Sequence, residues 1–91
     1  MEFEWDATKN VENIRKHGID FNEAKTVFDG PTLDRVDDRF DYGETRTVSI
    51  GLLNGIRCIV VTHTDRGRIV RLISARKALK HERKRFETAI L

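Results

Sequence analysis

Three arginines are the residues in this sequence best suited to chemistry on a phosphate: Arg46 opens an alternating strand pattern, Arg71 sits within another, and Arg76 follows it. A guanidinium is planar, keeps its charge throughout the physiological range and bonds phosphate oxygens in pairs. Beside a proton acceptor, such groups support cleavage of RNA without a metal ion. The 2′-hydroxyl attacks the adjacent phosphate, a base takes its proton, an acid protects the leaving oxygen, and fixed cations hold the extra charge on the phosphorane. Three residues are candidates for the acid and base. Glu44, just before Arg46, is either the base or the salt-bridge partner of that arginine. His17 either catalyses or closes a helix, where a protonated ring favours the dipole. His63, placed opposite Arg46 by the strand pattern, is an acid, a base or one half of a surface pair. Lys77, Lys80 and Arg83 follow on a basic helix and are candidate RNA contacts, the plainer reading of that helix being a solvated face.

Other chemistries find little support. His17, His63 and His81 are scattered and there is one cysteine, so no metal-binding spacing arises. Ser49 and Ser74 lack a nucleophile signature, and the glycines at 43, 51, 55 and 67 form no phosphate-cradling loop before a helix. No cofactor is expected.

The 91 residues make one domain, 1–91, with a core that gets no help from disulfides. Lys and Arg number 17 against 15 Asp and Glu, a formal charge of +2, too little to bind any nucleic acid by charge alone. The distribution carries more information. Arg66, Arg68, Arg71, Arg76, Lys77, Lys80, Arg83, Lys84 and Arg85 gather in one segment, while Asp29, Asp34, Asp37, Asp38, Asp41 and Glu44 gather in another. The first is a candidate anion surface; the second either screens it or is ordinary loop. Cys58, next to Ile59, Val60 and Val61, reads as a buried strand thiol suited to a reducing cytosol. No apolar run has membrane-spanning length and the start lacks a signal-peptide pattern, so a cytoplasmic location without membrane contact is expected.

The elements that must position these groups follow from periodicity. Phe3 and Trp5 alternate with acidic residues as a short strand. Asp6 is a helix N-cap, Ala7, Val11 and Ile14 share a face, and Gly18 is the stop. Asp20 and Glu23 have capping-box spacing for a second helix, with Phe21, Ala24 and Phe28 as its apolar stripe and Gly30-Pro31 as its end. An edge strand is expected around Leu33 to Val36. Arg46, Val48, Ile50 and Leu52 then alternate with smaller residues up to Asn54-Gly55, a strong hairpin signal. A two-residue turn there pairs Leu53 with Ile56, Ile50 with Ile59, Val48 with Val61 and Arg46 with His63. The next turn, at Thr64 to Gly67, fits three residues with Gly67 left-handed, two-residue and four-residue forms being alternatives. The three-residue form opposes Val61 to Arg71 and puts Arg71 on the face of Arg46; a slip by one reverses that. Leu79, Phe86 and Ile90 mark a final amphipathic helix. The fold class is α+β: a short strand, two helices, an antiparallel sheet from 45–53, 56–64 and 68–75, and a C-terminal helix.

Phe3-Glu4-Trp5-Asp6, Lys16-His17-Gly18 with Phe21, Val27-Phe28, Gly43-Glu44-Thr45-Arg46 with Ile50-Gly51, Arg71 to Ala78, and Glu82-Arg83 together resemble the BrnT toxins of type II toxin-antitoxin systems. The resemblance spans almost the whole chain in order and spacing. It implies a RelE-like fold, a ribonuclease that arrests translation by cutting RNA, free or as ribosome-associated mRNA, and no cofactor. It also implies a BrnA-like antitoxin, whose ribbon-helix-helix part contacts DNA, in a hetero-oligomer. Arg46, Arg71 and Arg76 carry over as motif residues, whereas Glu44, His17 and His63 rest on the reading of the residues alone. Ala7 stands where the family often has proline, and Pro31 follows Gly30 where an Asp-Pro pair is common. Phe86 stands where it often has tyrosine, so no phenol acid is available there, and Tyr42 is the only tyrosine. The alternative function is a non-catalytic RNA-binding or translation-blocking module. For a partner, the basic segment suits an acidic or amphipathic chain that occupies the phosphate sites.

Overall fold

The computed structural model describes residues 1–39 and 43–91. Asp41 and Tyr42 lie outside the described residues. A five-stranded sheet organises the chain in the order β1-β5-β4-β3-β2, with β1 Glu2–Glu4, β2 Leu33–Asp37, β3 Arg46–Leu53, β4 Arg57–Arg66 and β5 Ile69–Lys77. β1 is parallel to β5, and the other pairs are antiparallel. Helices α1 (Ala7–His17) and α2 (Phe21–Ala24), continued by a 3-10 turn at Lys25–Asp29, pack on one face of the sheet. Helix α3 (Lys80–Ile90) packs on the other.

Each face therefore has its own core. On the α1 and α2 side, Phe21 and Val27 pack on Ile59, Val61, Leu72 and Ala75; on the α3 side, Phe86 meets Val48, Ile50 and Val60. This double burial explains why the hairpin register differs from the two-residue-turn expectation. Asn54 and Gly55 are left-handed, with φ 51° and 74°, but Ile56 joins the turn and Leu53 pairs with Arg57. Ile50 consequently faces Val60 and not Ile59, and His63 faces Thr47 and not Arg46. A one-residue slip exchanges the faces of a strand. In Ile59-Val60-Val61 every residue is buried, so apolar alternation does not select one register over the other.

The helix signals act where the sequence puts them. Asp6 accepts from the Lys9 amide at 3.1 Å, Asp20 accepts from the Asn22 amide at 2.9 Å, and Gly18 closes α1 in the left-handed conformation at φ 69°. Gly51 serves contact: a Cβ there would stand 3.1 Å from the Val27 Cβ, so its absence lets the 3-10 turn approach β3.

The apolar stripe of α1 is not its buried face. Val11 and Ile14 are exposed, and the residue carried inside is Asn13. Its amide donates to the carbonyls of Ile19 at 2.8 Å and Ala75 at 2.9 Å, and its oxygen accepts from the Ala75 amide at 3.0 Å. β1 pairs with β5 only as far as Arg71, and Asn13 supplies the missing edge partner beyond it, in the manner of a strand. Replacing Asn13 by alanine should destabilise the fold by about 2–4 kcal/mol, since three buried backbone groups lose their partner. A urea titration with unchanged slope and a lowered midpoint is the expected result.

The candidate active face

Among the described residues, the two faces of the sheet differ in how completely they are covered. α3 crosses only the part of its face near Ile50 and Val60. Strand alternation puts Arg46 of β3, Thr62, Thr64 and Arg66 of β4, and Ser74 and Arg76 of β5 on that same face. Arg71 joins them through an irregularity. Arg71 and Arg76 are an odd number of residues apart, which in an unbroken strand sends them to opposite faces. The ladder steps from Thr62↔Ser74 to His63↔Leu72, leaving Ile73 as an extra residue on β5. This β-bulge reverses the alternation, buries Leu72 and Ala75 together in the α1 core, and brings Arg71 opposite Thr64 on the arginine face. The turn after β4 is a two-residue Gly67-Arg68 connection with Gly67 left-handed at φ 63°, one of the forms its sequence allows.

Carboxylates thread through the cations. Arg71 Nη1 lies 3.4 Å from Glu4 Oε1, because β1 sets Glu4 directly beside Arg71. Arg66 lies between two acids, with Nη2 3.1 Å from Glu44 Oε2 and Nη1 3.8 Å from Glu4 Oε1. Of the two roles open to Glu44, the salt bridge exists but its partner is Arg66. Glu4 is the carboxylate that the strand reading placed on a face without giving it a role; its link to Arg71 depends on a parallel pairing between the two ends of the chain, which no local pattern announces. Arg46, at the start of β3, is half-buried and pairs in register with Asp37 of the edge strand.

Arg76 is held hardest. Its Nη1 and Nη2 each bond one oxygen of Glu82 at 2.8 Å, a two-pronged pair, and Glu82 Oε1 also accepts from the Leu79 amide at 2.8 Å to cap α3. Both arginines meet a carboxylate, and Arg76 is the more tightly held because α3 turns back immediately after β5 and brings Glu82 over it. The Arg76 hydrogen bonds, against the opposing effect of burial, pull the Glu82 carboxyl down to about 2 from an ordinary 4.5. A carboxylate with a lowered folded-state pKa stabilises the fold above its unfolded value and loses that contribution as pH falls through the folded one. Stability should therefore decline between about pH 4.5 and pH 2, by at most about 3 kcal/mol for this group. Acid unfolding curves for wild type and Glu82→Gln check this, the variant showing the shallower fall across that window.

The two histidines stand elsewhere. His17 is exposed at the end of α1, on the helical layer behind the sheet. His63 is buried beneath Phe28, whose ring meets it edge-on at 5.0 Å. Its Nε2 is 2.7 Å from Ser49 Oγ and its Nδ1 2.7 Å from Asp65 Oδ1, while Ser49 donates to Asp34 at 2.6 Å. Serine, histidine and aspartate thus have the spacing of a nucleophile triad, yet Ser49 is 0% exposed and reaches no substrate. The chain is a cross-link through β2, β3 and β4. Of the cations expected to contact RNA, Lys80 begins α3, whereas Lys77 and Arg83 line a cleft between α3 and the β3–β4 hairpin.

A family described as ribonuclease toxin, BrnT, of type II toxin-antitoxin systems matches residues 5–82. The 1.1 Å crystal structure of the Brucella abortus ribonuclease toxin BrnT is similar with a TM-score of 0.65 and 29% identity, covering 88% of this chain and 99% of that one. No curated protein matches the sequence.

Proposed function

The chain belongs to the BrnT family of ribonuclease toxins of type II toxin-antitoxin systems, and from that premise we propose that its arginine-bearing face cleaves RNA without a metal ion. The observation that carries this reading is the convergence of Arg46, Arg66, Arg71 and Arg76 with Glu4 on one face, which for Arg71 requires the bulge at Ile73. Arg46 and Arg71 hold the scissile phosphate, and their fixed charges stabilise the phosphorane as it forms. Arg76 adds the donors that Glu82 leaves over, since a guanidinium has five. Glu4 takes the proton of the attacking 2′-hydroxyl, and the leaving oxygen is protonated by solvent. Glu44 holds Arg66 at the rim. The fold is RelE-like, the cell compartment is the cytoplasm, and the partner that silences the toxin is a BrnA-like ribbon-helix-helix antitoxin through which the complex reaches DNA.

Purified protein incubated with RNA in EDTA tests the proposal. Discrete fragments on a denaturing gel are expected. A shifted band of intact RNA on a native gel would instead make the protein a non-catalytic RNA-binding module. Replacing Glu4 by glutamine should lower the rate by about 10² or more if it is the general base, with substrate affinity nearly unchanged.

A further inference from the structure

The cleft lined by Lys77 and Arg83 lies on the flank of α3 that faces the β3–β4 hairpin and has about 470 Å³ of space. Leu52, Cys58 and Phe86 form its apolar floor, and Arg57, Lys77 and Arg83 supply its basic rim. The single acid among the described lining residues, Glu87, is 3.8 Å from Arg83 in a loose, exposed pair. At the hairpin tip Ile56 is 82% exposed.

RNA makes poor use of such a place. Single strands are held by cations along the backbone and by aromatic faces that stack on bases, and here the one ring, Phe86, is 1% exposed. An apolar floor inside a cationic rim instead complements a peptide whose apolar side chains are flanked by carboxylates. The family is one of type II toxin-antitoxin systems, so an antitoxin is the partner the chain must meet. We propose that this cleft is a docking site for an acidic, amphipathic segment of the antitoxin, separate from the arginine face. The inference rests on the toxin reading. The segment places its apolar side chains against Leu52 and the exposed Leu91, covers Ile56, and aims carboxylates at Arg57, Lys77 and Arg83.

The test uses the full toxin and the antitoxin purified after co-expression with it. Ile56→Asp combined with Arg57→Glu changes two exposed residues away from the arginine face. This variant should bind the antitoxin at least about tenfold more weakly while cleaving and binding RNA at the wild-type level. Hydrogen exchange on the wild-type complex, which needs no variant, should show antitoxin-dependent protection in residues 52–58 and 86–91. Unchanged antitoxin affinity, absence of that protection, or loss of RNA binding in place of antitoxin binding overturns the proposal, the last by making the cleft an RNA track. Wild-type protein that neither cleaves RNA nor binds the antitoxin would remove the toxin reading and this inference together, whereas an active, antitoxin-bound wild type with an indifferent variant removes this inference alone.

Discussion

Arg71→Ala should lose about 10² to 10³ of the RNA-cleaving rate, the usual cost of one transition-state donor, while its thermal midpoint stays close to wild type. The expectation of an intact fold comes from the surroundings of this side chain. It is 32% exposed, it meets Glu4 through a single 3.4 Å approach, and Glu4 is itself 37% exposed and so able to recover its hydration. Surface pairs of this kind contribute about 0–1 kcal/mol. Arg71→Lys keeps the charge but loses the two-pronged geometry and should recover only part of the rate. Single-turnover cleavage beside a thermal melt separates the two quantities. A folded Arg71→Ala protein cleaving at the wild-type rate would remove Arg71 from the site.

Arg76→Ala should behave differently, failing in both stability and activity. Deleting one partner of a buried pair costs about 3–5 kcal/mol because the other charge is stranded. Arg76 is 39% exposed, so water screens part of this and a loss of about 2–3 kcal/mol is expected. The stranded group is Glu82, whose side chain is 10% exposed and whose hydrogen bond to Leu79 opens α3. Inactivity of the single variant therefore does not by itself speak to catalysis. The double variant Arg76→Ala/Glu82→Gln does, since a neutral amide at 82 relieves the buried charge. Stability should return by more than about 1 kcal/mol while cleavage stays low. A double variant that regains both would reduce Arg76 to a clamp on α3.

The behaviour of these two arginines also marks how far the sequence could be read. Elements with local signals were legible: Asp6 and Gly18 bound α1, Asp20 opens α2, and Asn54-Gly55 turns the hairpin. The three arginines were legible as a group through residue type and family resemblance, and they do share a face. Features that depend on distant pairing were not. The bulge at Ile73 has no glycine or proline to announce it; the signal available was that Leu72 and Ala75, apolar and an odd distance apart, cannot both face one core in a regular strand. The partner of Glu4 depends on β1 lying parallel to β5. The buried side of α1 was misread because Asn13 has no apolar signature, its burial being repaid by hydrogen bonds to Ala75 and Ile19. His63 was set beside Arg46 by a register that double burial of Ile59, Val60 and Val61 left undetermined.

In the proposed reaction the 2′-hydroxyl of RNA is the nucleophile and the arginine face stabilises its attack. Analysis of the ends of the fragments made in EDTA reads this directly. Intramolecular attack leaves a 2′,3′-cyclic phosphate or a 3′-phosphate on one fragment and a 5′-hydroxyl on the other, and those are the ends predicted. Fragments carrying 5′-phosphate and 3′-hydroxyl ends, or cleavage that persists when the nucleotide before the cut is 2′-deoxy, would contradict it.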